Sequence, residues 1–377
     1  MASFYEIGPI RPPSEATSLL VRVSRNCPWN RCTFCPVYKC QRFELRPLDD
    51  VLADVRAMAR VADRVRTLAD ERFGGRVDVS TVRHLAFSDP GALQLAVFLA
   101  EGGQSAFLQD ADSLVVPPET LSRILEELRA RFPTLTRVTS YARARTLVRR
   151  RVEDLRRLRE AGLNRIHVGL ETGSNVVLRL VDKGVTSEQQ IEAGRRVKAA
   201  EMELSFYVMP GLGGRAHSEE HARETARVLR AVDPHVIRLR SLAIPPGSPL
   251  DQARERGAFE PLREMDVVAE LRQLLAALEG MSGRLTSDHV LNLFGELEGQ
   301  LPDDHAALLA LLDTFLELDE ERQQLFVVGR RLGLLHHPME LANEAVIARV
   351  RQAKDRLAEA FDGDLDRGIE QLRLRFI

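Results

Sequence analysis

The sequence predicts an α/β fold: a parallel sheet or partial six-stranded (β/α) barrel, TIM-like, followed by a C-terminal all-helical extension. Three observations carry this. Short β-rich runs alternate with helical patterns six times between residues 18 and 250. Polar or Gly-rich stretches follow several of those runs. After about residue 250 the strand rhythm stops and helical patterns take over. The expected organisation is a barrel over 1–250 and a helical domain over 251–377.

Along the chain, "SLLVRVSRN" (18–26) reads as a buried strand, and "RPLDDVLADVRAMARVADRVRTLADE" (46–71) has helical spacing. "DVSTVRHLAFS" (78–88) suits a strand or a linker, and "PGALQLAVFLAEG" a short helix closed by Gly102. "SAFLQDAD" (105–112) is a strand ending in two carboxylates. "PPETLSRILEELRARFP" (117–133) is a helix bounded by prolines. The beat then repeats: strand 137–142 and helix 152–162; strand 165–171 and helix 187–201; strand 203–211 and helix 218–232; strand 236–244 and the turn "PPGSP". In the remainder only "GRLTSDHVLN" (283–292) reads as a strand.

The 377 residues are 44% hydrophobic and 29% charged, which suits a globular chain with a sizeable core. A net charge of −2 gives no encouragement to nucleic-acid or membrane binding. No apolar run approaches a membrane span. "MASFYEIGPIRPPSEA" has neither the basic start nor the apolar stretch of a secretory signal. A cytoplasmic location is therefore expected, and there clustered cysteines point to metal or redox chemistry.

All four cysteines fall in "NCPWNRCTFCPVYKC" (26–40). Cys27, Cys32 and Cys35 form C-x-x-x-x-C-x-x-C on a loop after the first strand. Three readings suit them: a three-thiolate iron–sulfur cluster with one open iron, a four-thiolate cluster completed by Cys40, or a zinc site. The last two describe a binding or regulatory module that turns nothing over. Position argues for the first. Ligands of α/β sheets bind at the carboxyl ends of strands. "QDAD", "GLETGS" and "MPGLGG" follow the second, fourth and fifth strands, so they share that end with the thiols. Taken singly, Asp112 suits a helix cap, Glu171 a surface acid at a strand end, and Lys183 a solvated helix-end lysine.

With these motifs in order, the chain resembles the radical S-adenosylmethionine (SAM) superfamily. It looks closest to the branch of oxygen-independent coproporphyrinogen oxidase and the elongator-type catalytic subunit. The resemblance covers roughly 18–250 and implies a [4Fe–4S] cluster on Cys27, Cys32 and Cys35. Phe34 matches the aromatic before the last cysteine, whose backbone approaches the adenine. Asp110 and Asp112 stand at the turn that grips the SAM amino group. Ser140 stands at the end of the third strand, Glu171 at the ribose, and Lys183 at the SAM carboxylate. "YVMPGLGG" brings Tyr207 and Met209, and "LAIPPGSPL" brings Ile244 near the adenine. Four residues, where the family usually has three, separate the first two cysteines. Tyr207 stands where some relatives carry an acid.

The resemblance further implies reductive cleavage of SAM to a 5′-deoxyadenosyl radical, which takes hydrogen from a small-molecule or peptide substrate. The electron would come from a reductant such as flavodoxin or ferredoxin. Tyr141 and His289 are the catalytic candidates, and Arg143, Arg238, Arg240, Ser287 and Asp288 are candidates for lining a substrate cavity. Cys40 reads as a loop thiol, a redox partner or an alternative ligand.

Overall fold

The computed structural model describes residues 5–375, so residues 1–4 of the N-terminal reading lie outside the described residues. The chain forms two compact units. One comprises Met1–Asn30, Val37–Gly169 and Glu192–Ser205, the other Arg31–Pro36, Leu170–Ile191 and Phe206–Ile377.

In the first unit, β1 (Leu19–Arg22) buries Leu19, Leu20 and Val21. It ends earlier than the expected strand over 18–26. The Val23 N–H donates to the Gln109 carbonyl at 2.7 Å. The next residues, β2 (Ser24–Arg25), pair antiparallel with β3 (Glu44–Leu45). Helix α1 (Leu48–Arg72) buries Val51, Val55, Met58, Val61, Val65 and Ala69, the stripe that a 3.6-residue period dictates. The stretch 78–88 is neither strand nor linker but a helix, α2 (Val79–Ser88). The reason is a capping box: the Asp78 carboxylate accepts the Ser80 and Thr81 N–H groups, and the Thr81 hydroxyl accepts the Asp78 N–H. There follow α3 (Leu93–Ala100), β4 (Ser105–Gln109), α4 (Pro118–Arg131), β5 (Arg137–Ala142), the short α5 (Ala144–Leu147) and α6 (Val152–Ala161). Gly162, at φ 117°, closes α6 and leads into β6 (Leu163–Glu171). Strands β1, β4, β5 and β6 lie parallel in that order, with Leu20 opposite Phe107, Phe107 opposite Thr139, and Ser140 opposite Ile166.

The chain continues through α7 (Asn175–Leu180), α8 (Ser187–Ala199), β7 (Glu203–Val208), α9 (Ser218–Val232) and β8 (Val236–Leu239). The six expected strands are thus all present, in a largely parallel arrangement. Beyond them lie α10 (Pro249–Glu255), α11 (Glu264–Ala276), β9 (Arg284–Thr286), β10 (Gly299–Gln300), α12 (His305–Leu316), α13 (Glu320–Arg331), α14 (Glu344–Ala360) and α15 (Leu365–Leu374). In the second unit β9, within the stretch read as a strand, pairs parallel with β8 and antiparallel with β10. Phe294, Phe315 and Phe326 pack ring on ring at 5.5–5.6 Å among the C-terminal helices. Among the described residues no helix is long and apolar enough to cross a membrane.

Candidate functional site

In the first unit the site is built around two acids after β4. Asp110 is fully buried and saturated. Its Oδ2 accepts Arg22 Nε at 2.9 Å, Arg22 Nη2 at 2.6 Å and the Asn26 N–H at 3.2 Å, while the Tyr38 hydroxyl donates to Oδ1 at 2.5 Å. Burial, with the Asp110 carboxylate adding to it, pushes the Tyr38 phenol well above its usual range. Asp110 therefore pins the residue before Cys27 and the residue two before Cys40. Inside the loop the Asn30 N–H donates to Cys27 Sγ at 3.4 Å, and Asn30 Nδ2 donates to the Gln41 carbonyl at 3.2 Å. The lone Trp29 lies under two cations, Arg143 at 5.1 Å and Arg145 at 5.6 Å from its ring centre.

Asp112 is also fully buried but only half used. The Thr146 hydroxyl donates to Oδ2 at 2.5 Å, whereas Oδ1 is buried without a partner. Burial pushes this carboxyl up to about 6, against the opposing pull of Thr146 and Arg143. It caps neither the turn Ser113–Val115 nor α4, whose N-cap is Pro117 with no side-chain cap bond, so the helix-cap role falls away. Ser140 is buried in β5, its hydroxyl on the Tyr141 carbonyl at 2.9 Å. Tyr141 packs edge-on to Phe107 at 5.0 Å and lies 5.8 Å from the His167 ring.

The second unit gathers another set. The Cys35 N–H donates to the Cys32 carbonyl at 3.3 Å, a tight turn within C-x-x-C. Between them Thr33 is stitched on both sides, its N–H to the Val181 carbonyl at 3.0 Å and its carbonyl to the Leu250 N–H at 3.2 Å. Phe34 packs on an apolar cluster that contains Val181, Met209, Leu242, Ile244 and Leu250. Lys183 Nζ stands 5.7 Å from the Phe34 ring and donates to Glu171 Oε1 at 2.9 Å. Glu171 is 8% exposed, adopts a left-handed φ of 60°, and keeps Oε2 buried without a partner. Its carbonyl accepts the Met209 N–H at 2.9 Å. Neither residue is the solvated surface group that each suggests alone. Five of the expected cofactor residues, Phe34, Glu171, Lys183, Met209 and Ile244, thus form one neighbourhood, with Tyr207 buried in β7. Asp110, Asp112 and Ser140 belong to the first unit.

The substrate candidates fare differently. Burial, with Arg240 adding to it, pushes His289 down to about 4, so it is neutral at pH 7. Its Nδ1 accepts the Leu291 N–H at 3.3 Å. Arg238 is buried and paired with Asp288 at 2.5 Å, and the Ser287 hydroxyl donates to the Phe294 carbonyl at 2.5 Å.

Sequence reasoning missed a buried relay around the Gly-rich turn. Glu270 Oε1 accepts the Gly211 N–H at 2.7 Å, and Oε2 accepts the Ser218 hydroxyl at 2.6 Å. His221 Nδ1 lies 2.8 Å from the Thr172 hydroxyl, beside Glu171. Gly173 is required there, since a Cβ would sit 2.1 Å from the Glu224 carbonyl oxygen. The legible signal was Glu270 itself, an acid four residues before the buried Leu274 on one helix face.

No disulfide involves the four cysteines. Among the described residues, no three His, Cys, Asp or Glu side chains are grouped so as to hold a metal ion. The donor chemistry nonetheless suits an iron–sulfur group: Cys27, Cys32 and Cys35 are partly exposed loop thiols, and one accepts a backbone N–H. The orphaned oxygens of Asp112 and Glu171 suit the ammonium and hydroxyls of SAM.

The model of the Radical SAM superfamily matches residues 21–229, more than half of the chain. The protein belongs to that superfamily, whose enzymes use a [4Fe–4S] cluster and SAM. It is 25% identical over 229 residues to 4′-phospho-dehydrooxetanocin synthase of Priestia megaterium, covering 57% of this chain and 27% of that protein. It is 23% identical over 118 residues to tRNA uridine(34) acetyltransferase of Methanocaldococcus jannaschii, covering 31% and 22%. The chain thus spans about a quarter of the length of these curated relatives. Similar solved structures include the cobalamin-dependent SAM radical enzyme OxsB with aqua-cobalamin and SAM bound (TM-score 0.44, 16% identity, 96% of this chain and 58% of that one). Another is Methanocaldococcus infernus Elp3 with an N-terminal deletion (TM-score 0.41, 14% identity, 58% and 55%).

Proposed function

We propose that Cys27, Cys32 and Cys35 hold the cluster, with Cys40 outside the ligand set, and that the enzyme takes hydrogen from an organic substrate. The carrying observation is the C-x-x-x-x-C-x-x-C loop inside the span matched to the superfamily. The exposure of Cys40, against the partial burial of the other three thiols, supports leaving it out. Bound together, the cluster and SAM supply a one-electron cleavage that yields the 5′-deoxyadenosyl radical.

The chain's own residues bind and orient. Asp112 offers an unused carboxylate oxygen to the SAM ammonium, which favours its ionised form. Glu171 offers Oε2 to the ribose hydroxyls, while Lys183 holds Oε1 and presents its ammonium to the SAM carboxylate. Phe34, Tyr207, Met209 and Ile244 form an apolar seat for the adenine, and Ser140 lines the end of β5. Asp110 acts as a positioning residue by anchoring Asn26 and Tyr38 around the cysteines. The barrel over 1–250 carries this site, and the helices of 251–377 support it. Tyr141 faces the substrate. A one-electron reductant such as flavodoxin or ferredoxin and a small-molecule or peptide substrate are the partners, in the cytoplasm.

The test is anaerobic reconstitution with iron and sulfide, then SAM and dithionite, with 5′-deoxyadenosine and methionine measured. Wild type should form both. Cys32→Ala should lose the cluster absorbance and at least about 100-fold in product, about 2.7 kcal/mol of barrier. A colourless wild-type protein holding one zinc would sink the proposal.

A further inference from the structure

The buried relay behind the Gly-rich turn reaches the loop after β6. Thr172 and His221 are 0% exposed and Glu270 3%, and all three belong to the second unit.

Glu171 needs an anchor. Its φ of 60° lies in the left-handed region, and the Thr172 N–H donates to the Leu170 carbonyl at 2.8 Å, which closes a tight turn around it. A non-glycine residue keeps such a conformation only where its surroundings over-determine it. Thr172 supplies the hold. Its hydroxyl accepts the Ser174 N–H at 3.1 Å, so its own proton goes to His221 Nδ1 at 2.8 Å. The Gly173 N–H then donates to the Thr225 hydroxyl at 2.9 Å. His221 and Thr225 stand one turn apart on α9, so one helix face grips both residues that follow Glu171.

With Nδ1 accepting, the imidazole proton sits on Nε2. That nitrogen is buried with no hydrogen-bond partner among the described residues, 3.6 Å from Glu270 Oε1. Burial holds the ring below the usual histidine range, against the pull of Glu270, so it is neutral at pH 7. The same Oε1 accepts the Gly211 N–H, and a Cβ on Gly213 would lie 3.2 Å from His221 Cβ. One ring therefore stands between the loop after β6 and the turn after β7.

We propose that His221 is a positioning residue for the cofactor seat: it holds Thr172 on one side, faces Glu270 on the other, and so aims the Glu171 carboxylate at the ribose. This deepens, and rests on, the reading of Glu171 as the ribose ligand. His221 touches no reacting atom and acts through Thr172.

SAM binding to the reconstituted protein, measured by equilibrium dialysis, tests it. Thr172→Val keeps the side-chain shape and removes the hydroxyl proton, so it should weaken binding about fivefold or more. Thr172→Ser, which keeps the hydroxyl, should stay within about twofold of wild type. His221→Phe, which removes both ring nitrogens, should cost at least as much as Thr172→Val. The decisive background is Glu171→Gly, which accepts the left-handed φ and lacks the carboxylate. There Thr172→Val should change the affinity by less than about twofold, because no carboxylate remains to be aimed. A merely structural role gives the same factor in both backgrounds and overturns the proposal. Wild-type affinity in Thr172→Val and His221→Phe, or Thr172→Ser binding as weakly as Thr172→Val, overturns it too. The Thr172 pair keeps the test decisive if His221→Phe folds poorly. Unaltered binding in Glu171→Gly would remove the ribose reading itself, and this inference with it. Weakened binding there, with indifferent Thr172 and His221 variants, would remove this inference alone.

Discussion

The loop after β4 and the end of β6 both present a buried carboxylate with one oxygen orphaned, yet they reach that state differently. Asp112 has a hydroxyl for its partner, so burial wins and the carboxyl rises to about 6. Glu171 has an ammonium, Lys183, at 2.9 Å. A neutral partner leaves an acid whose ionised form lacks an adjoining ammonium, so a ligand's positive charge adds a counter-charge. A cationic partner leaves one already matched, which has only hydrogen bonds to offer. The first suits an amine, the second hydroxyls.

Asp110 supplies the contrast to both, and the largest expected effect. Asp110→Ala leaves the Tyr38 hydroxyl unpaired and Arg22 with Glu6 alone, at 2.8 Å, so about 3 kcal/mol of stability should vanish. Chemical denaturation of the cluster-free protein would reveal it, and a loss under about 1 kcal/mol would remove the anchoring role. Next comes Asp112→Asn, which should weaken SAM binding by about 10–100-fold in equilibrium dialysis, the cost of a charged hydrogen bond.

The same variant tests the electrostatics. A carboxyl whose folded pKa lies above its unfolded value costs stability as it ionises. Relative to Asp112→Asn, the ligand-free wild type should therefore lose stability as pH climbs from about 4 to about 6, with no further change above. The full span is about 3 kcal/mol. A flat difference would mean that Asp112 ionises normally. The smallest effect is expected for Lys183→Met: about a fivefold loss of SAM affinity, because Glu171 can still reach the ribose. A loss exceeding that of Asp112→Asn would invert the comparison.

Much of this was legible in the sequence. The six strands lie where the alternation put them, but, besides the 18–26 stretch that ends at Arg22, three expected ones run too far. The stretches 105–112, 203–211 and 236–244 end as strands at Gln109, Val208 and Leu239. Their apolar patterns persist for a few residues into the loops that carry the site, because Met209, Leu242 and Ile244 stay buried after the ladder stops. Periodicity reports burial, not hydrogen bonding, so it could not find those ends. Helix α2 hid because Val, Thr and Ser suit strands, and only Asp78 with Thr81 marked the cap. The Arg22–Asp110–Tyr38 hub was out of reach. Its members are 16 and 72 residues apart in sequence, and their sole local trace is a charge inside an apolar run.

The bond between Glu270 and the Gly211 N–H bears on how such a protein can be inherited. The turn after β7 lies in the stretch that reads as a barrel, and its anchor lies beyond residue 250, on α11. A gene rearrangement that joined residues 1–250 to an unrelated tail would carry the Gly-rich turn away from the acid that fixes it. The two stretches should therefore travel together through recombination, each a poor spare part without the other.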